Sequence, residues 1–194
     1  MKKIIAFIFF LMPIFSYAGN QQYEVLKLET QQLMSQMIAD SPPKISSFTS
    51  KEEEAYWISS MQKHLSRFSR NVDDSEMLLR TVHYEATRAG LDPTLVLGLM
   101  QVESGFKKYA LSSVGAKGYM QVMPFWVDII GKKDHNLFHI RTSLRYGCTI
   151  LRHYLDIEKG NMFRALGRYN GSLGKAPYPN AVFAAQDKFR RELK

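Results

Sequence analysis

Glu103 is a carboxyl in an unusual place. Val96, Leu99 and Met100 stand seven, four and three residues before it, so at helical spacing all four share one face. Burying a carboxylate in line with an apolar stripe costs several kcal/mol unless it is paired or protonated. Gly105 follows two residues later and puts Glu103 in the last turn of that helix, where the negative end of the dipole also opposes its charge. Both effects favour the protonated form near neutral pH, which is what a general acid needs. Most glycosidases that use such an acid carry a second carboxyl, ~5–5.5 Å away for retention or ~6.5–9.5 Å for inversion. Here the next acids downstream are Asp128 and Asp134, and neither lies in a recognisable motif. A lone acid suits a reaction in which the substrate supplies its own nucleophile.

Other reactive side chains point to no rival chemistry. His135 and His139 are four residues apart, but Asn136 and Leu137 replace the Glu and spacing of a zinc-protease helix, and no third ligand is evident. No metal and no cofactor is expected. Cys148 is the single cysteine, which rules out an internal disulfide. It sits on the stripe Ile140, Leu144, Cys148, Leu151, Leu155 and reads as a small buried hydrophobe, not as an activated thiol.

Glu103-Ser104-x-Phe106 is followed by Ala110-x-Ser112-x-x-Gly115-Ala116-x-Gly118-x-Met120-Gln121-x-x-Pro124. This run resembles the signature of soluble lytic transglycosylases, in the same broad superfamily as goose-type lysozymes. A second block, Ala165-Leu166-x-x-Tyr169-Asn170-Gly171 with Tyr178-Pro179 and Val182, resembles the Ala-x-x-Tyr-Asn-x-Gly motif of the same family in a shortened form. Tyr119 stands where the family usually has Leu, a swap that bears on subsite shape. The resemblance covers about residues 80–185. It implies a lysozyme-like helical domain with a long groove, acting on peptidoglycan glycan strands. By the matched motifs Glu103 is the catalytic acid and then base, and Ser112 orients its carboxyl. Gln121 and Met123 line the sugar groove, and Tyr169 with Asn170 reaches toward Glu103 and the adjoining sugar. The implied product is a 1,6-anhydroMurNAc end, made without water.

The elements that must position these residues are helical. Residues 19–40 are Gln-rich, with Leu26, Leu33 and Met37 in helical phase, and Ser41-Pro42-Pro43 breaks that segment. Ser50 reads as an N-cap before Glu52, Glu53 and Glu54, opening a helix with Trp57, Met61, Leu65 and Phe68 on one side. Asp73-x-x-Glu76 suggests a capping box for a helix that stops at Gly90. Asp92-Pro93 restarts a helix at once, the one that ends in Glu103. Residues 104–118 read as a loop or short irregular hairpin around that end. A brief helix to Gly131, a long one over 140–157, a short one over 162–169 and a last one from Pro179 complete the chain. No period-two run stands out, so the fold class is predominantly α. The expected organisation is a signal peptide at 1–18, an N-terminal helical extension and linker at 19–72, and a lytic transglycosylase domain at 73–194.

The chain's 194 residues carry a formal charge of +8. Basicity suits an acidic wall polymer as well as nucleic acid, but no block of five basic residues and no nucleic-acid motif is present, so no nucleic acid is expected. Lys2-Lys3, the apolar run 4–15 and Ser16-Tyr17-Ala18 have the form of a secretory signal, and twelve apolar residues are short of the ~20 a spanning helix needs. The expectation is an exported, periplasmic or wall-associated protein with no stable membrane insertion after cleavage. Two other functions fit the same residues: a hydrolytic muramidase, and a peptidoglycan-binding assembly module that meets an envelope complex through residues 19–72. Cleavage after Ala18 predicts a mature chain starting Gly19-Asn20, to be read from the intact mass of exported protein. Retention of residues 1–18 would reject it.

Overall fold

The computed structural model describes residues 21–39, 47–68 and 72–194, the side chains of 72–74 excepted. The expected signal segment at 1–18 and the expected break at Ser41-Pro42-Pro43 lie outside the described residues. Eight helices are present there: α1 (Leu28–Ala39), α2 (Lys51–Leu65), α3 (Val72–Arg88), α4 (Pro93–Glu103), α5 (Phe125–Ile130), α6 (Ile140–Ile157), α7 (Met162–Tyr169) and α8 (Pro177–Arg191). The only extended pairings among these residues are isolated bridges, Leu111 with Lys117 and Lys117 with Val122. The predominantly α class is therefore the observed one.

Local chemistry explains most helix ends. Ser50 accepts from the Glu53 N–H at 3.1 Å and opens α2. Asp92 accepts from the Thr94 N–H at 2.8 Å, with Pro93 in the first turn, and opens α4. Gly131 ends α5, and Gly90, at φ +66°, follows α3. α3 is already helical at Val72, so Asp73 lies inside the helix; its side chain is outside the described residues. α8 starts at Pro177, two residues ahead of the expected Pro179.

α1 forms as expected but in a different phase. Met34 and Ile38 are its buried residues, whereas Leu33 is 59% exposed. The reason is tertiary: α1 packs on α5 and α6, and Gln31 donates to the Ile129 carbonyl at 2.8 Å, which sets the inward face. Both α1 and α2 deliver residues, Met34 and Trp57 among them, to the same apolar core that Leu99, Leu151 and Phe189 occupy.

Beneath α1 lies a buried acid, Glu85, on α3. Arg145 holds it with two guanidinium nitrogens at 3.0–3.2 Å, and Arg141 lies 3.5 Å away. Arg145 also donates to the Ile38 carbonyl at 3.4 Å, and Arg88 to that of Met37. Two arginines thus satisfy the last-turn carbonyls of α1, where cations are favoured.

α4 and α8 cross at Gly98. A Cβ there would sit 2.7 Å from the Gln186 backbone nitrogen and 2.8 Å from the Val182 carbonyl. In an exposed helix Gly→Ala stabilises by ~1 kcal/mol. At this crossing the sign reverses: Gly98→Ala must push two backbones apart, an overpacking cost of ~1–3 kcal/mol. Scanning calorimetry should show a Tm several degrees lower, at ~2–4 °C per kcal/mol for a chain of this size.

Candidate active site

The closeness of α4 and α8 decides where Glu103 meets its partner. Glu103 is the last residue of α4 and is 7% exposed. Tyr178, in the first turn of α8 and 1% exposed, donates its hydroxyl proton to Glu103 Oε1. Burial and the adjoining Glu103 charge hold the Tyr178 phenol well above its ordinary range, so it stays a proton donor. Tyr169, at the end of α7, is fully buried and donates to the Met120 carbonyl at 2.7 Å. Its phenol is raised by the same two causes, burial first and Glu103 next, while a hydrogen bond from Gln21 pulls weakly the other way.

The loop between α4 and α5 is built around the end of α4. Ser104 Oγ lies 3.1 Å from the Met100 carbonyl and 2.8 Å from that of Tyr119, which ties the loop to the helix. Gly118, at φ +75°, leaves room for the Leu137 carbonyl, which a Cβ would approach to 2.2 Å. Met120 is gripped on three sides. Its N–H donates to Ser143 Oγ at 3.2 Å, its carbonyl takes the Tyr169 proton, and its side chain fills the space beside Gly147 of α6.

The remaining sequence candidates fall around this frame. Ser112 is half-buried and its Oγ accepts from the Ala116 N–H at 2.9 Å, closing the tip of the loop. Gln121 is 1% exposed and donates to the carbonyls of Ala110 and Gly118 at 3.1 and 2.9 Å. Its backbone sits at φ +47°, the left-handed region that a non-glycine residue enters only at a cost. Met123 is half-buried against the core. Asn170 donates to Ser172 Oγ at 3.1 Å and shapes the turn after α7. Glu103, Tyr169 and Tyr178 are thereby brought together, while Ser112, Gln121 and Asn170 make their hydrogen bonds to the loops that carry them.

The sequence reading gave Tyr178 no task, although Tyr178-Pro179 lay inside the second motif block. Gln21 was missed altogether. Its carboxamide donates to the Gln121 carbonyl at 3.3 Å and accepts from the Met123 N–H at 3.1 Å, and no local pattern marks it. His135 shares a hydrogen bond with the Tyr146 hydroxyl at 2.7 Å. Among the described residues no three His, Cys, Asp or Glu side chains converge as metal ligands would. Cys148 is fully buried, which pushes its thiol up and leaves it unreactive.

Residues 80–188, more than half of the chain, match the family described as Transglycosylase SLT domain. The chain belongs to this family. It is 44% identical over 116 residues to a membrane-bound lytic murein transglycosylase C of Histophilus somni, covering 52% of this chain and 32% of that protein. It is 33% identical over 96 residues to a transglycosylase of Enterobacteria phage PRD1, covering 50% of this chain and 35% of the phage protein. A membrane-bound lytic murein transglycosylase C of Actinobacillus pleuropneumoniae is 50% identical over 46 residues, or 24% of this chain and 13% of that protein. The chain thus spans about a third or less of the curated relatives it matches. The family match takes in Glu103, Tyr169 and Tyr178 but not Gln21.

Four of the buried phenols give the domain a defined alkaline limit. Burial raises Tyr146 to about 12 and lifts Tyr154, Tyr169 and Tyr178 as well. Unfolded tyrosines ionise near ~10. Their folded counterparts therefore contribute stability that is complete below that pH and is lost as pH rises above it. Each proton the unfolded chain releases steepens the loss by about 1.4 kcal/mol per pH unit. Tyr178→Phe should make the fall in urea midpoint between pH 9.5 and 11 measurably shallower. An unchanged slope would contradict the buried, donor-only Tyr178.

Proposed function

We propose that the chain is a peptidoglycan lytic transglycosylase that breaks the β-1,4 bond between MurNAc and GlcNAc without water and leaves 1,6-anhydroMurNAc ends. The observation that carries this reading is Glu103, a nearly buried carboxyl at a helix end, with the Tyr178 hydroxyl on it and inside the matched segment. The chain has a second buried acid, Glu85, but arginines neutralise it. Asp128 and Asp134 are exposed, and both raise the Tyr146 phenol.

In this mechanism Glu103 gives its proton to the glycosidic oxygen as the bond from MurNAc C1 to that oxygen breaks, and GlcNAc leaves with its 4-hydroxyl restored. The substrate's own N-acetyl carbonyl stabilises the oxocarbenium character at C1. The Glu103 carboxylate then takes the proton of the MurNAc C6 hydroxyl, whose oxygen closes on C1. The carboxyl is protonated again and no water is consumed. Intramolecular attack has a high effective concentration, so one Glu serves as acid and then base. Tyr178 keeps the reacting oxygens of Glu103 in place throughout.

The other site roles belong to the same proposal. Ser112 orients the Glu103 carboxyl, Gln121 and Met123 line the groove, and Tyr169 and Asn170 border the sugar next to the acid. The lysozyme-like domain at 73–194 acts after export to the periplasm or wall. Residues 19–72 offer docking surface to an envelope complex, with Tyr23, Val25, Leu28 and Leu33 exposed. No helix among the described residues is long and apolar enough to cross a membrane.

Glu103→Gln keeps the shape and removes the proton, so cleavage of purified sacculi should fall by at least ~10²–10⁴-fold. Mass spectrometry of the released muropeptides, with and without borohydride, reads the product. Anhydro ends that resist reduction are expected. Reducible MurNAc, heavier by one water, would replace the transglycosylase reading with the muramidase one.

A further inference from the structure

The described chain begins with a side chain in the wrong place for a simple leader. Gln21 is 3% exposed, although it precedes the first helix by seven residues and its neighbours lie open, Tyr23 at 61% and Val25 at 85%. Its carboxamide is held by one acceptor and one donor of the same backbone, the Gln121 carbonyl at 3.3 Å and the Met123 N–H at 3.1 Å. Both residues lie in the loop after Glu103, one residue either side of Val122. The backbone there is fixed by the left-handed turn at Gln121 and by the grip on Met120. A carbonyl and an N–H held rigidly and covered by an amide form a receptor for an amide. Every N-acetylhexosamine carries such a group, with one N–H and one C=O.

We propose that the Gln121 carbonyl and the Met123 N–H form an acetamide-binding site whose resident occupant is Gln21, and that glycan must displace residues 21–25 to use it. This deepens the transglycosylase reading and rests on it. Gln21 also bonds the Tyr169 phenol, and Leu26 is partly buried against the core. The other anchors are light. Tyr23 meets the edge of Phe125 with centroids 5.8 Å apart, and Glu24 pairs with Arg168 at 3.1 Å with its own side chain 48% exposed. A surface pair of that kind adds little. Firm attachment starts at Leu26 and continues where Gln31 bonds the Ile129 carbonyl and Met34 enters the core. The segment from 21 to 25 can therefore lift about Leu26 while α1 stays docked. The tether gives Gln21 a high effective concentration at the site. It lowers apparent glycan affinity by the fraction of molecules in which the site is already filled.

The test is calorimetric titration of the full chain carrying Glu103→Gln, which prevents turnover, with tetra-N-acetylchitotetraose. Adding Gln21→Ala, or Gln21→Glu to replace the donor by a carboxylate facing a carbonyl, should tighten binding on the order of fivefold to tenfold. The de-N-acetylated tetrasaccharide should gain nothing. A residue that only fastened the N-terminal segment would leave affinity unchanged or weaker when removed, and that result overturns the proposal. An equal gain for the de-N-acetylated sugar also overturns it, because the segment would then act by bulk alone. Absence of binding by every variant overturns it too. In that case, cleavage of sacculi by the unsubstituted protein would show that the enzymatic reading survives.

Discussion

The backbone contact at Gly98 is the constraint from which the site follows. Helices whose facing side chains interdigitate pack with their axes ~8–10 Å apart, and removing the side chain at the crossing lets them close further. Here α4 and α8 meet main chain to main chain, with the Gln186 nitrogen and Val182 carbonyl where a Cβ would otherwise be. That contact fixes the height of α8 along α4, and hence the distance from the first turn of α8 to the last turn of α4. Tyr178 and Glu103 are the residues at those two ends. A hydroxyl on a six-membered ring has little freedom to search for its acceptor, so the helix crossing must be right before the hydrogen bond can form.

The loop wrapped round that junction is held by a different principle. It has almost no regular structure, yet Met120 and Gln121 are buried and satisfied, because α6 and α7 supply the groups a sheet would otherwise supply. Ser143 takes an N–H, Tyr169 gives a proton to a carbonyl, and the Gln121 amide closes the loop on itself. The left-handed backbone at Gln121 is affordable only under such over-determination. Rigidity in this region therefore comes from the helices behind it, and the hairpin-like bridges at Leu111, Lys117 and Val122 add a modest share.

What the sequence made legible was whatever depends on near neighbours. Ser50, Asp92-Pro93 and Gly131 mark their helix ends because caps are local chemistry. The stripe through Leu144, Cys148 and Leu151 marks α6 because an amphipathic helix carries its period with it. Glu103 stood out for the same reason, as an acid in phase with Leu99 and Met100. Long-range placement was not legible. The phase of α1 is set by α5 and α6, 90 or more residues on, and Leu33 was assigned inward where Met34 and Ile38 are the buried pair. Tyr178 was visible as a motif residue, but its partner lies 75 positions away and is chosen by a helix crossing. Gln21 meets residues 100 and 102 positions distant and could be found only in three dimensions.

The arginines under α1 separate two boundaries that are easily taken as one. Sequence kinship with the family begins at residue 80, yet Arg145 and Arg88, inside the kindred part, end on carbonyls of Ile38 and Met37 outside it. An excised fragment starting at the kinship border would bare those guanidiniums together with the apolar bed of Met34 and Ile38. It would keep Glu85 and lose the helix end that balances the surplus positive charge around it. The hereditary module is thus smaller than the piece of chain that can stand alone. Grafting this domain onto another carrier would have to bring α1 along, even though α1 contributes none of the motif residues.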